Sequence, residues 1–486
     1  MGILIVAISV LSAGIYVGYS AFYYRVGFPL DDAWIHQTYA RNFASGYGWS
    51  FEAGEPSGGA TAPLWTVLLS AGYRLNLNPY LWAFMLGISF LIGVGFLAVY
   101  SFQQLHASLG WVGLFFLLEW HFIWASVSGM ETMFAVFLII GIYFLLKRRG
   151  FGWGIACFLS ASIWIRPDLL SLFLPVSVSV FLDFRKRVKR KLIFLSPLSI
   201  VVLSFLAYLI FNQSISGDWL PTTFYAKQAE YAELRALPYG LRFWQQVSMP
   251  LIGGGLFLIV GFVYRSFELL KRKDWLGVAW IIWYLLMVGL YAERLPVTYQ
   301  HGRYMIPPMV VYFLVGLEGS IAFGQRWMRK QHWSWILIRA WILSWVLVTV
   351  SFWWLGGRAY AKDVQLIETQ MVDVAKWVEN NLPQDSRIAV HDIGAIGYFT
   401  QFDLVDLAGL INPEVIPFIR NEKKLASYLD EKQVDYLICF PDWYPNLTKD
   451  LSAVFVADEL VVREYSQSPM SVYRWKLNNF ISLWME

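Results

Sequence analysis

Long apolar stretches recur along this chain, at roughly 3–23, 80–103, 110–128, 131–146, 151–166, 168–184, 192–212, 249–265, 275–292, 304–323 and 334–355. They constrain the fold more than any single motif does. A hydrocarbon layer about 30 Å thick is crossed by about 20 apolar residues in a helix, which satisfies its own backbone hydrogen bonds where no water can. The composition agrees, with 57% hydrophobic and 18% aromatic residues. The expected fold class is an α-helical polytopic membrane protein with about 11 transmembrane helices.

Charge sets the expected orientation. The net charge of +4 is small, and the basic residues gather in short runs between apolar segments, which argues for topology rather than a nucleic-acid partner. These runs are Lys147-Arg148-Arg149, the cluster 185–191, Lys271-Arg272-Lys273, and Arg326 with Arg329 and Lys330. An odd number of spans with a cytoplasmic N-terminus puts all four inside, as the positive-inside rule asks. The loop 24–79 and the C-terminal region then lie outside a plasma membrane. The first segment lacks a basic n-region and reads as a retained anchor. The stretch 62–77 is apolar but short, so it reads as an interfacial or a re-entrant helix within the loop 24–79. Two cysteines, Cys157 in an apolar segment and Cys439 in the polar C-terminal region, offer neither a plausible disulfide nor metal-ligand spacing.

Composition shifts near residue 358, giving an expected transmembrane domain over 1–357 and an extracytoplasmic α/β domain over 358–486. Within the latter, 364–380 reads as helix. The runs 387–390, 434–440, 454–456, 461–463 and 471–475 read as strands. Gly394 and Gly397 follow the first of these, and a tight strand-to-helix turn accounts for them better than a phosphate loop.

The chemistry-bearing residues cluster on the expected outer side. Asp31 and Asp32 head the run Pro29-Leu30-Asp31-Asp32-Ala33-Trp34 just after the first span. One carboxylate suffices as the N-cap of the helix that follows. Two adjacent ones repel, so one has a raised pKa or shares a cation, either of which suits a catalytic base or a metal ligand. Glu131 sits at the entry of a span, Arg166 and Asp168 in a turn, Lys227 in a second outer loop, and His301 and Arg303 before the tenth span. Charges near membrane depth are costly unless paired or wetted, so these residues mark either a polar substrate cavity or structural pairs such as Arg166 with Glu131. Glu119 and His121 in the third segment fit the cavity or a helix pairing equally.

A series of short motifs in fixed order resembles the GT-C superfamily of membrane glycosyltransferases, and within it the AftB-like family of bacterial arabinofuranosyltransferases. They are Asp31-Asp32-Ala33, Tyr39-Ala40-Arg41-Asn42, Gly46-Tyr47-Gly48, Gly54-Glu55, Thr61-Ala62-Pro63-Leu64-Trp65-Thr66, Ser128-Gly129-Met130-Glu131-Thr132 and Arg166-Pro167-Asp168. The series continues with Leu220-Pro221-Thr222-Thr223-Phe224-Tyr225-Ala226-Lys227, His301-Gly302-Arg303-Tyr304, Asp392-Ile393-Gly394-Ala395-Ile396-Gly397-Tyr398 and Val405-Asp406-Leu407-Ala408-Gly409-Leu410 with Asn412-Pro413-Glu414.

The resemblance implies inverting transfer of a hexosyl or pentosyl unit from a polyprenyl-phosphate sugar to a cell-envelope glycan, lipid or protein. Asp31 or Asp32 would then be the base, with Asp31 the favoured one, and Arg303, His301, Arg166, Lys227, Glu131 and Asp168 would bind substrate. A divalent metal ion on Asp31 or Asp32 is compatible with this chemistry but not demanded by it. Ser57-Gly58-Gly59-Ala60-Thr61 stands where many relatives carry a Glu-Gly-Tyr-Thr run, so an arabinose donor does not transfer with the resemblance. The competing readings are a transporter or flippase of lipid-linked saccharides and a non-catalytic envelope assembly protein. The chain lacks the internal repeats common in transporters, and its large outer loop favours an enzyme.

Overall fold

A computed structural model describes residues 1–186, 196–328, 333–463 and 467–475, so most of the basic cluster 185–191, together with Arg329 and Lys330, lies outside the described residues. The chain forms two compact units. The first comprises Met1–Tyr19, Phe84–Tyr208 and Glu233–Ala359, and the second Ser20–Ala83, Leu209–Ala232 and Tyr360–Glu486.

Among the described residues, seven helices are long and apolar enough to cross a membrane, or nine if each of two bent pairs is one span. This is fewer than the eleven expected, for identifiable reasons. Thr132–Arg149 is 18 residues long but ends in three basic residues. Trp153–Ile165 has only 13 residues, about 20 Å of helix, short of the hydrocarbon thickness. The stretch 110–128 is broken by 59° between Ala107–Leu118 and Trp120–Ser126. The break falls at Glu119, whose extended backbone starts a new helix and whose carboxylate accepts the His121 and Phe122 N–H groups. The pair Tyr239–Leu251 and Gly254–Arg272 bends by 98° around Gly253, whose φ of 109° a side chain would resist.

In the second unit, five short strands form one sheet in the order β2-β1-β3-β5-β4. They are β1 (Arg387–Val390), β2 (Asp403–Asp406), β3 (Tyr436–Cys439), β4 (Ala453–Val456) and β5 (Ser471–Arg474). β1 runs parallel to β2 and β3, while β5 is antiparallel to β3 and β4. Ala389, Val405 and Leu437 pack with Leu425, Leu429 and Val434 in the core, so the expected α/β character holds. The expected strand at 461–463 is instead part of the helix Glu459–Val462, started by the Asp458 carboxylate accepting the Leu460 N–H at 2.9 Å. The expected helix 364–380 continues the long helix Ser334–Ile367 through a π-turn, Glu368–Val372, into Asp373–Asn381.

That π-turn anchors the start of the loop 24–79. Arg25 pairs with Glu368 at 2.8 Å and with Asp373 at 2.8 Å, and the Tyr80 hydroxyl donates to Glu368 at 3.0 Å. Trp34, wholly buried, packs its ring against Phe28, Tyr80, Tyr398 and Phe399 with centroids 4.6–5.2 Å apart. The apolar wedge fixes the helix Asp32–Ala44 close to its acidic pair. The stretch 62–77 contains the helix Pro63–Arg74, 12 residues long.

Candidate acceptor site and a buried arginine cluster

The acidic pair is differentiated by its surroundings. Asp31 does not cap its own helix; its backbone is already helical, and its side chain makes no cap bond there. Instead its two oxygens accept the N–H groups of Gly394 and Ala395, each at 2.8 Å, at the start of the helix Ile393–Phe399. Gly394 is required by that approach, since a Cβ there would lie 2.2 Å from the Asp31 carbonyl oxygen. The glycine expected as a turn residue is therefore a contact residue. Asp32 is more open, with 25% of its side chain exposed, and pairs with the Lys227 Nζ at 3.3 Å.

Lys227 lies on the helix Thr222–Glu230, which is held by its end. Arg420 donates to the Glu230 carboxylate at 2.6 Å and to its carbonyl oxygen at 3.0 Å. His391 Nε2 stands 3.7 Å from the same carboxylate, and its Nδ1 lies 2.6 Å from the Tyr444 hydroxyl. Burial holds His391 below the usual histidine range, against the pull of Glu230. The run Ser57–Thr61 passes the same helix; a Cβ on Gly58 would lie 2.6 Å from the Thr222 hydroxyl.

Asp392 belongs to one of the ordered motifs but is not among the expected site residues. It occupies the N-cap position of the helix Ile393–Phe399 without making a cap bond, and its Oδ2 is buried with no hydrogen-bond partner. Burial raises Asp31, opposed by its two backbone hydrogen bonds. Asp392 is pushed well above the carboxylate range by burial and then by the Asp31, Glu230, Asp32 and Asp406 charges. Asp406 has a different duty, its carboxylate accepting the Ala408, Leu410 and Ile411 N–H groups that shape the loop after β2.

The remaining expected site residues lie in the first unit. Arg166 is buried, with Nε 3.1 Å from Asp168, Nη2 2.8 Å from the Tyr291 hydroxyl and Nη1 3.6 Å from Glu131. The Tyr291 hydroxyl also donates to Asp168. The structural pairing of Arg166 with Glu131 is thus present, with Asp168 as the closer partner. Tyr304 stacks on Tyr291 at 6.0 Å and takes a hydrogen bond from Arg303 Nη2 at 3.0 Å. His301 sits edge-on to Trp120 and Trp124, at 5.2 and 5.3 Å. It lies in a left-handed run, with φ of 53° at Gln300, 59° at His301 and 63° at Gly302, strain that costs about 1–2 kcal/mol per non-glycine residue and needs surrounding contacts to persist. Glu119 and His121 pair, with Nδ1 2.8 Å from the carboxylate, while the His121 Nε2 is buried without a hydrogen-bond partner. Tyr291 carries no sequence signal that separates it from the chain's other 26 tyrosines, whereas Tyr304 closes the motif His301-Gly302-Arg303-Tyr304.

No group of three or more His, Cys, Asp or Glu is placed to hold a metal ion among the described residues. Cys157 and Cys439 are both unpaired.

Residues 358–474 match the sequence model of a domain of unknown function (DUF8728), and no curated protein matches the chain. Solved structures do. The match to ArnT from Cupriavidus metallidurans in the apo state covers 97% of this chain and 97% of that one, at 12% identity and a TM-score of 0.55. With ArnT bound to undecaprenyl phosphate the coverage is the same, at 11% identity and a TM-score of 0.53. AftD from Mycobacteria overlaps 96% of this chain and 39% of its own, at 13% identity and a TM-score of 0.49, too slight a likeness to weigh. The chain shares the fold of ArnT. It is a multi-pass membrane protein with a small C-terminal sheet domain.

Proposed function

We propose that this protein is an inverting glycosyltransferase that moves a sugar from a polyprenyl-phosphate donor to a hydroxyl of a cell-envelope glycan, lipid or protein on the outer face of the plasma membrane. The fold shared with ArnT supports the class, and the undecaprenyl phosphate bound by ArnT supports the donor type. The observation that carries the site is the split between the two aspartates: Asp31 is occupied by backbone donors, and Asp32 is open beside a cation.

An acceptor hydroxyl is a poor nucleophile at neutral pH and needs a base within hydrogen-bond reach. Asp32 takes that proton in this reading. Lys227, 3.3 Å away, orients its carboxylate. Asp31 positions it by tying the start of the helix Asp32–Ala44 to Gly394 and Ala395. Attack of the acceptor oxygen on the anomeric carbon breaks the bond to the donor phosphate, and the bond electrons leave with the phosphate, whose charge a cation must meet. Arg303 is the proposed partner, since a guanidinium can fork two hydrogen bonds onto phosphate oxygens. His301, Arg166, Glu131 and Asp168 are further proposed substrate-binding residues. The transmembrane residues 1–357 form the catalytic domain in this account, and 358–486 lies outside.

Lipid and glycan analysis of a deletion strain tests the reading. Accumulation of a polyprenyl-phosphate sugar together with loss of one envelope glycan, restored by the wild-type gene and not by Asp32→Asn, is expected. A deletion strain with unchanged lipids and glycans would overturn it.

A further inference from the structure

The helix Ile393–Phe399 begins with two carboxyl groups competing for one duty. Its own N-cap residue, Asp392, would ordinarily take the N–H groups of the first turn. Asp31, from a segment far away in sequence, holds both of them at 2.8 Å. Asp392 is left without a cap bond, and its Oδ2 is shielded from solvent with no partner.

Two negative charges cannot both persist at this junction without cost. Asp31 has two N–H donors and the positive end of a helix to favour its ionised form. Asp392 has no comparable donor and is surrounded by acids: Asp31 and Asp32 from the start of one helix, Glu230 from the helix Thr222–Glu230, and Asp406 at the end of β2. Cys439 and Tyr444 face it as well, and His391 adjoins it in sequence. The cations of this region are engaged elsewhere, Lys227 with Asp32 and Arg420 with Glu230. A proton must therefore reside in the cluster, and the member without hydrogen-bond donors is the one that keeps it.

We propose that Asp392 is a positioning residue of the acceptor site, which holds a proton so that Asp31 stays ionised on the Gly394 and Ala395 N–H groups and keeps Asp32 beside Lys227. The inference rests on the reading of Asp32 as the base. It gives the C-terminal domain a direct role in the site, through a residue to which the DUF8728 match assigns no function. Loss of the Asp392 proton sets Asp392 against Asp31 and loosens the contact that positions Asp32, so transfer falls on the alkaline side.

Infrared pH-difference spectra of the full-length protein in detergent test this without a substrate. The wild type is expected to show a protonated-carboxyl carbonyl band that survives above neutral pH and bleaches on further alkalinisation. Asp392→Asn should lack that band, and Asp406→Asn should retain it. In Asp31→Asn the band should bleach at least one pH unit lower, because the nearest opposing charge is gone. A wild-type band unaffected by Asp392→Asn, or one whose titration is the same in Asp31→Asn, would overturn the proposal. In membranes, Asp392→Asn, which keeps the shape and cannot ionise, should shift the alkaline limb of the transfer rate upward; an unshifted limb counts against the positioning role. Failure of the transferase reading shows separately, as a full glycan in a strain carrying only Asp32→Asn, and leaves the infrared result readable.

Discussion

The Asp31 carboxylate lies 2.8 Å from the Gly394 N–H, across 363 residues of sequence. Through that bond the residues after the first apolar helix and the helix that follows β1 share one junction. The neighbouring Asp32 turns to Lys227 instead, so adjacent carboxylates have separate duties.

Asp32→Asn should reduce transfer by about 10²–10⁴-fold, the usual contribution of a general base, with membrane abundance unchanged because the side chain is partly exposed. Radiolabelled transfer in membranes measures the first, and immunoblotting the second. Full activity would return Asp32 to a merely structural ion pair.

Asp31→Asn behaves differently. An amide offers one acceptor oxygen where the carboxylate serves two N–H groups, so one buried donor loses its partner at a cost of roughly 1–3 kcal/mol. Lower thermal stability in detergent should accompany reduced activity. An unchanged melting temperature would mean that the junction contributes nothing to the fold.

Gly394→Ala probes the same junction from the other side. Its Cβ would meet the Asp31 carbonyl at 2.2 Å and the Oδ2 at 2.5 Å, so the helix start must shift. Loss of stability comparable to Asp31→Asn is expected, and the double variant should lose less than the sum, since both act on one contact. Additive losses would separate the two residues.

Asp406 is pushed up to about 7 by burial, against the backbone hydrogen bonds that lower it. The native state then holds a proton that the unfolded chain releases above its ordinary value of about 4. Stability from this group falls as pH rises from about 4 to about 7 and is level above that. Asp406→Asn should remove this portion of the slope in urea unfolding followed across pH. A slope identical to wild type would place the titration elsewhere.

Arg303→Lys should weaken the dependence of rate on lipid donor, and Arg303→Ala should weaken it further, because a lysine keeps the charge and loses the fork. Initial rates against donor concentration separate the two. Identical curves for wild type and Arg303→Ala would move the phosphate to another residue.

The apolar periodicity, the basic runs and the shift near residue 358 were legible because each is a property of a contiguous segment. Solvent preference acts locally, so the multi-pass class and the α/β character of the C-terminal region follow from composition. The motif order reached further, pointing to the GT-C fold, and it brought Asp31, Asp32 and Lys227 forward as candidates. Where contiguous reading failed, the cause was a contact distant in sequence or a local cap. The run 110–128 bends where Glu119 starts a new helix inside it, and the strand expected at 461–463 gave way to a helix capped by Asp458. Asp392 stood in an ordered motif without any sign of its role, because its chemistry comes from losing its own N–H donors to Asp31. Gly394 looked like a turn residue and is a point of close approach. What tertiary structure alone decided is the division of labour in the acidic pair: a carboxylate's protonation and duty depend on which donors, charges and solvent surround it, and in Asp31 and Asp392 those surroundings come from opposite ends of the chain.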